Sequence, residues 1–423
     1  MSIYEYYCKS YRVSTDSRHI EPASVFFALK GERFDGNDFA LEVAEQGIAS
    51  LVVADRQSLP DHPRIVKVKD SLEALQGLAL YHRLMMKHLK VLAITGTNGK
   101  TTTKELVSTV LSRKYHTIYT QGNFNNHIGV PLTLLRITPD TEFAVVEMGA
   151  NHPGEIKTLA NLACPDYGII TNIGKAHLEG FGSFEGVIKT KNELYDNLRS
   201  DNKTAFVNSD NPLLMDLSKG LNRHTYGTVN AECVVKPATC DPYLSVSWEG
   251  HILQTHLVGN YNFENVAAAI AVGRYFGVSD NDIKEALESY QPTNSRSQVI
   301  EGKNHIIMDA YNANPTSMSA SLKNFRNICG DNALLILGDM RELGDASEQE
   351  HKAILDLLKT SGFRHAFLVG PCFSQFNNSP DYLTFANVDD LLAYLGQHPV
   401  EGRTILVKGS HSIQLEKTLP LIQ

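Results

Sequence analysis

VLAITGTNGKTTT, residues 91–103, is the stretch from which the fold can be read. A run of β-formers, Val91 to Ile94, stops at the turn Gly96-Thr97-Asn98-Gly99, and Lys100 with Thr101 opens a segment in which Leu106, Val107, Val110 and Leu111 recur at helical spacing. Strand, glycine loop and helix in that order form the context of a phosphate loop. The glycines let backbone N–H groups approach anionic oxygens, the helix N-terminus adds partial positive charge, and Lys100 adds a full one. Thr101 offers a hydroxyl to a Mg²⁺ ion carried by a nucleotide. Gly96, Thr97, Asn98, Gly99, Lys100, Thr101 and Thr102 are therefore the expected nucleotide-binding residues. The loop is short, with Gly96 only three positions before Gly99 where the common pattern has five.

Working outward, 423 residues are too many for one ordinary core, so two or three domains are expected. A hydrophobic content of 42% indicates a packed globular protein, and a formal net charge of −8 argues against a general nucleic-acid binder. The N-terminus has no apolar core of a leader, and no uncharged apolar run is long enough to span a bilayer, so no membrane insertion and a cytoplasmic location are expected. Six cysteines, Cys8, Cys164, Cys233, Cys240, Cys329 and Cys372, lack CxxC spacing and indicate neither a zinc site nor a disulfide framework.

Residues 1–88 read as a small α/β domain, with strands over 24–31 and 48–55 and helices over 39–46 and 71–87. From 89 to 295 strand and helix alternate. FAVVEMG (143–149) and YGIITNIG (167–174) suit parallel strands buried on both faces, whose C-terminal ends form a ligand crevice. Glu147 near the end of the first and His177 after the end of the second are placed to ligate the Mg²⁺ that phosphates bring with them. The next helix carries Lys189 and Lys191, and composition alone selects neither. FVNSDNP (206–212) reads as a strand end and turn, and 225–257 as a β-rich excursion. Asn262 and Asn265, at the start of the following helix, suit either caps or hydrogen bonds to a nucleobase edge. QPTNSRS (291–297) marks a boundary. Beyond it, 296–423 reads as a second doubly wound domain, with Asp309 and Lys408 at strand ends facing its crevice.

Together with DSR (16–18), FFALKGERFDG (26–36), GNFNNHIGVPLTLL (122–135), EMGANHPGEI (147–156), AHLEGFGS (176–183), DAYNANPTSM (309–318), LGDMRELG (337–344) and LVKGSHS (406–412), the phosphate loop resembles the Mur ligase family over nearly the whole chain. The resemblance implies an α/β protein of three domains. These are a small N-terminal domain (1–88) that receives a UDP-sugar, a central P-loop ATPase-like domain with a doubly wound parallel sheet (89–295), and a Rossmann-like C-terminal domain (296–423). It also implies a monomeric, ADP-forming peptide ligase that joins D-alanyl-D-alanine to UDP-N-acetylmuramoyl-tripeptide through an acyl phosphate, with ATP and Mg²⁺, two ions being expected.

Residue by residue, the resemblance gives Lys100 the β and γ phosphates, Thr101 the first Mg²⁺, and Glu147 and His177 further Mg²⁺ contacts. Lys191 matches a lysine that family members carbamylate, turning a cation into an anionic ligand for a second Mg²⁺. Asn262 and Asn265 match adenine contacts, Arg296 a phosphate-reaching arginine and Asp309 a ribose contact, while Tyr311, Asn312 and Asn314 lie over the nucleotide on closure. Asn125 and Asn126 sit by the reacting carboxylate, with Asn126 counted among the catalytic set, and Ser17 and Arg18 match the UDP-sugar site. The chain departs from the pattern at GTNGKT where GSSGKT is frequent, at Asn37 where a histidine is frequent, and at His127 where an aspartate is frequent. A sister ligase adding one amino acid to a muramoyl peptide or glutamate to folate is the nearest rival, and a non-catalytic P-loop switch is the rival from another class.

Overall fold

A computed structural model describes residues 1–240, 242–292 and 296–423. The phosphate-loop strand Lys90–Thr95 lies inside a seven-stranded sheet, with Tyr167–Ile170 on one side and Phe143–Glu147 on the other. Chain order reverses across this strand, so the crevice at the C-terminal ends of the strands opens where the loop begins. All the pairings are parallel, running outward through Thr204–Asn208, Asn222–Gly227 and Cys233–Val234 on one edge and Thr117–Tyr119 on the other.

Side chains alternate across this sheet and fill both faces. Val91 and Ala93 pack into a core that runs without a break into the first unit, through Leu75, Leu51 and Val25. Leu92 and Ile94 point the other way, into a core closed by the helices Lys100–Leu111 and Phe263–Tyr275. Gly273 is needed there, because a Cβ on it would stand 2.5 Å from Val110.

The first unit is a four-stranded parallel sheet in chain order, Val13–Ser14, Val25–Phe27, Leu51–Ala54 and Ile65–Lys67, backed by the helix Ser71–Met85. The strand expected over 24–31 ends early. After Phe27 the chain turns into a loop closed by a bridge between Lys30 and Asp35. The β-rich excursion divides into two strands that extend the central sheet and an antiparallel sheet of Lys236–Cys240, Tyr243–Trp248 and His251–Val258.

The last unit is a six-stranded sheet in the order Gln298–Glu301, His305–Asp309, Thr404–Lys408, Ala333–Gly338, Ala366–Val369 and Tyr382–Phe385, antiparallel only at its first pair. The two outermost strands are short and partly exposed, which is why apolar patterning does not reveal them. In register Asp309 pairs directly with Lys408. The expected boundary at Ser295 lies outside the described residues.

Asp339, His351 and Cys372 come together beside this sheet, although no sequence spacing relates them. Their donor atoms are already engaged. The Asp339 carboxylate accepts from the Cys372 and Phe373 amides, and His351 Nε2 accepts from the Met340 amide, so the cluster works as a structural cap.

Candidate active site

Gly99 precedes the helix Lys100–Leu111 in a left-handed conformation (φ 79°) and no side chain caps that helix. The first N–H groups of the helix therefore lack intrahelical partners, which makes its N-terminus an anion site. The glycines are set by close approach, since a Cβ on Gly96 would lie 2.1 Å from Thr171 Oγ1 and one on Gly99 would lie 2.4 Å from Asn265 Oδ1. The loop is tied to the segment after Tyr167–Ile170, with the Thr97 amide donating to the Asn172 carbonyl (2.9 Å) and the Asn98 amide to Asn172 Oδ1 (3.0 Å). Lys100 folds back, donating to the carbonyls of Gly96 (2.8 Å) and Thr97 (3.0 Å). Burial pulls its pKa down, and nearby Glu147 opposes that shift.

A cavity of about 1140 Å³ opens in front of this helix end. Thr97, Asn98, Gly99, Lys100, Thr101 and Thr102 line it, together with Asn125, Asn126, Glu147 and His177 from the central unit. Asn262, Asn265, Arg296, Asp309, Tyr311, Asn312 and Lys408 complete the wall. Gly96, Lys191, Asn314, Ser17 and Arg18 do not line it.

Glu147 ends a fully buried strand and is itself buried. One carboxylate oxygen accepts from Asn125 Nδ2 at 2.8 Å, and the other is buried with no hydrogen-bond partner among the described residues. An anionic oxygen left in that state inside a polar cavity suits a cation. With the Thr101 hydroxyl and the His177 imidazole on the same wall, the oxygen and nitrogen donors fit a divalent ion. His177 has a left-handed backbone (φ 50°), and its Nδ1 meets the carboxylate of Glu342, whose pKa the imidazole holds down.

Of the two lysines that composition could not separate, Lys189 is exposed and Lys191 is buried, its ammonium 5.4 Å from the Phe181 ring centre. Burial, with the charge of Lys100 added, brings Lys191 down to about 7.

Several candidates are engaged otherwise than the sequence indicates. Asn262 occupies a cap position without capping. Its Nδ2 donates to the Val258 carbonyl (2.9 Å) and its Oδ1 accepts from Asn265 Nδ2 (3.0 Å), while Asn265 Oδ1 accepts from Thr103 (3.0 Å). Both amides are thus committed within the protein. Asn126 Oδ1 accepts from the Ile128 and Gly129 amides, which turns the chain into the following helix. Asp309 is bonded by Lys408 (2.7 Å) and Ser321 (2.9 Å), and the Arg296 guanidinium stacks 3.7 Å above the Tyr311 ring. Asn312 Oδ1 accepts from the Ala313 amide.

In the first unit, exposed Arg18 grips Asp16 through two bonds of 2.9 and 2.7 Å. Asn37 is buried and bonds Asp35, Asp55 and Arg56, so it braces the sheet end from inside.

Sequence reading missed the groups that the last unit brings against the central one. Lys175 Nζ bonds Glu350 Oε1 at 2.7 Å, its amide bonds Thr316 Oγ1 at 3.2 Å, and Glu342 meets His177. Partners so far apart in the chain leave no periodicity or spacing to read.

Comparison with known proteins matches residues 94–273 to the family description "Mur ligase middle domain", 295–411 to "Mur ligase, glutamate ligase domain" and 9–83 to "Mur ligase family, catalytic domain". The chain is 37% identical over 424 residues to the UDP-N-acetylmuramoyl-tripeptide–D-alanyl-D-alanine ligase of Bacillus subtilis, covering 96% of this chain and 91% of that one. It is 34% identical over 428 residues to the Escherichia coli ligase of the same name, covering 97% and 93%. Among solved structures it resembles MurF from Acinetobacter baumannii (TM-score 0.86, 32% identity, 97% and 92% coverage). It also resembles MurF ligase from Thermotoga maritima in complex with ADP (TM-score 0.85, 27% identity, 97% and 96% coverage).

Proposed function

The chain belongs to the Mur ligase family, and from that premise we propose that it joins D-alanyl-D-alanine to UDP-N-acetylmuramoyl-tripeptide, converting ATP to ADP and phosphate in the synthesis of a peptidoglycan precursor. The observation that carries the reading is a cavity shared by an uncapped, lysine-bearing helix N-terminus and a buried carboxylate oxygen that has no partner among the described residues. Nucleotide binding is further supported by the ADP complex of the Thermotoga maritima neighbour.

In the first half-reaction an oxygen of the tripeptide's terminal carboxylate attacks the γ-phosphorus, the bond to the ADP oxygen breaks, and an acyl phosphate forms. An anion attacking an anion needs positive charge at both, and Lys100 with the free N–H groups of its helix supplies it. A divalent cation held by Thr101, Glu147 and His177 would neutralise phosphate oxygens as bonding changes. In the second half-reaction the dipeptide amine attacks the acyl carbon, the nitrogen gives up a proton, and the tetrahedral adduct collapses with phosphate as leaving group. Asn125, which donates to Glu147 and lines the cavity, would use its remaining Nδ2 hydrogen on the reacting carboxylate.

Lys191 we assign as a carbamate. Its burial and lowered pKa keep a neutral amine available near pH 7, whose nitrogen attacks CO₂ and loses a proton to become an anionic ligand for a second Mg²⁺. Arg296 is free to leave the Tyr311 ring for a phosphate oxygen, and Asp309, steadied by Lys408 and Ser321, for the ribose. Asn262 and Asn265 would border the adenine, and Tyr311, Asn312 and Asn314 would cover the nucleotide.

Arg18 and Ser17 would meet the uridine diphosphate on the first unit. We assign 1–88 to that substrate, 89–295 to ATP and 296–423 to closure over both. A monomer is the proposed state. Among the described residues no helix is long and apolar enough to cross a membrane, and the cytoplasm is the proposed location.

The test is ADP release with UDP-N-acetylmuramoyl-tripeptide, ATP and Mg²⁺, with and without D-alanyl-D-alanine, and the product mass. Release that requires the dipeptide, with a product heavier by one dipeptide unit, is expected. Turnover with a single amino acid instead would move the chain to a sister ligase.

A further inference from the structure

Two residues with strained backbone meet across the junction of the central and last units. His177 (φ 50°) follows the strand Tyr167–Ile170, and Glu342 (φ 62°) follows the strand Ala333–Gly338. Left-handed conformations outside glycine are uncommon and concentrate where a side chain must be aimed. Here they bring the Glu342 carboxylate against His177 Nδ1. The ring also meets Phe181 edge to face, with centroids 6.1 Å apart.

The surrounding contacts hold this approach. The Glu179 amide donates to the Glu342 carbonyl at 3.3 Å, and Gly344 leaves room, since a Cβ on it would already touch Glu179 Cβ at 3.3 Å. On the same segment as His177, Lys175 bonds Glu350 at 2.7 Å, and the Glu350 side chain is only 10% exposed. Glu342, Gly344 and Glu350 belong to the last unit, whereas Lys175, His177 and Glu179 belong to the central one.

We propose that Glu342 is a positioning residue for His177: its carboxylate accepts a hydrogen bond from Nδ1–H, which fixes the tautomer and leaves Nε2 as the nitrogen for the cation. A carboxylate behind a ligating histidine raises its basicity and fixes its orientation. Because the last unit supplies it, the cation site is complete only when that unit is docked, and docking and metal readiness become one event. The inference rests on the proposed cation-binding role of His177.

The experiment titrates Mn²⁺ by electron paramagnetic resonance into the full chain with saturating ADP, and separately measures ADP affinity in EDTA. Glu342→Ala is expected to lower Mn²⁺ affinity about 10- to 100-fold with ADP affinity in EDTA unchanged. Glu342→Gln, whose amide oxygen still accepts from Nδ1, is expected to keep more of the affinity, and it carries the comparison if the alanine variant does not fold. Unchanged Mn²⁺ affinity in both variants overturns the proposal, as does a fall in metal-free ADP affinity equal to the fall in Mn²⁺ affinity, because the residue would then serve docking alone. Wild-type protein that takes up no Mn²⁺ with ADP would instead defeat the metal reading itself and this inference with it.

Discussion

The amides of Asn98 and Asn314 bond each other reciprocally, Asn314 Nδ2 to Asn98 Oδ1 at 2.8 Å and Asn98 Nδ2 to Asn314 Oδ1 at 3.4 Å. One stands in the phosphate loop. The other caps the helix Pro315–Ile328 of the last unit, through a capping box with Ser317. The last unit is thereby tied to the loop itself, at a position where this chain departs from the frequent GSSGKT.

Removing either amide is expected to loosen that tie. Asn98→Ala and Asn314→Asp, which keeps the cap oxygen, should each raise the KM for ATP, and the double variant should show a coupling of about 0.5–1.5 kcal/mol. Asn314→Ala should in addition lower stability by about 1 kcal/mol through the lost cap. Steady-state kinetics with thermal unfolding separates the two effects, and strict additivity in kcat/KM would mean that the pair carries no coupling.

Lys100→Ala is expected to lower kcat about a hundredfold or more, because it removes the full positive charge at the helix N-terminus. The fold should persist, since Lys100 bonds only carbonyls of its own loop, Gly96 and Thr97. Amide product formation measured beside a thermal melt gives the answer; a variant with near-normal kcat would remove Lys100 from the chemistry.

Glu147→Gln should remove most of the stabilisation that Mg²⁺ adds to the ADP-bound protein. In the wild type a ligand at a hundred times its Kd adds about 2.7 kcal/mol, and the variant has lost the anionic oxygen that lacks a partner. Melting with ADP, with and without Mg²⁺, measures the difference. An equal rise in both proteins would place the cation elsewhere.

Lys191 should make stability depend on pH in CO₂-free buffer. Its folded value of about 7 lies below the ordinary 10.5, so between the two the unfolded chain binds the extra proton and stability rises with pH. Below about 7 the cost of the buried amine is present in full. Lys191→Met should therefore be more stable than wild type near neutrality, by an amount of the order of a few kcal/mol, with the advantage fading as pH approaches the lysine range. At fixed dissolved CO₂, carbamate content and activity should fall as pH drops below about 7, because the amine is protonated. Parallel melting curves across pH would contradict the burial argument.

The sequence by itself determined the local chemistry. Strand, glycine turn and helix at residues 91–103 follow from β-forming runs, backbone freedom at Gly96 and Gly99 and helical spacing of apolar residues, all short-range properties. The apolar runs ending at Glu147 and Asp309 likewise announced parallel strands with polar ends at a crevice. Tertiary structure decided which groups are spent and which remain available. Lys189 and Lys191 are two positions apart on one helix, yet packing against Phe181 buries only the second. Asn262 and Asn265 suit either caps or a base edge by sequence, and the fold bonds their amides to each other and to Thr103. Asp309 with Lys408, Asn98 with Asn314, and His177 with Glu342 are partners only because distant strands and domains meet. Whether a polar side chain serves structure or chemistry depends on what surrounds it, and those surroundings come from segments that sequence spacing does not relate.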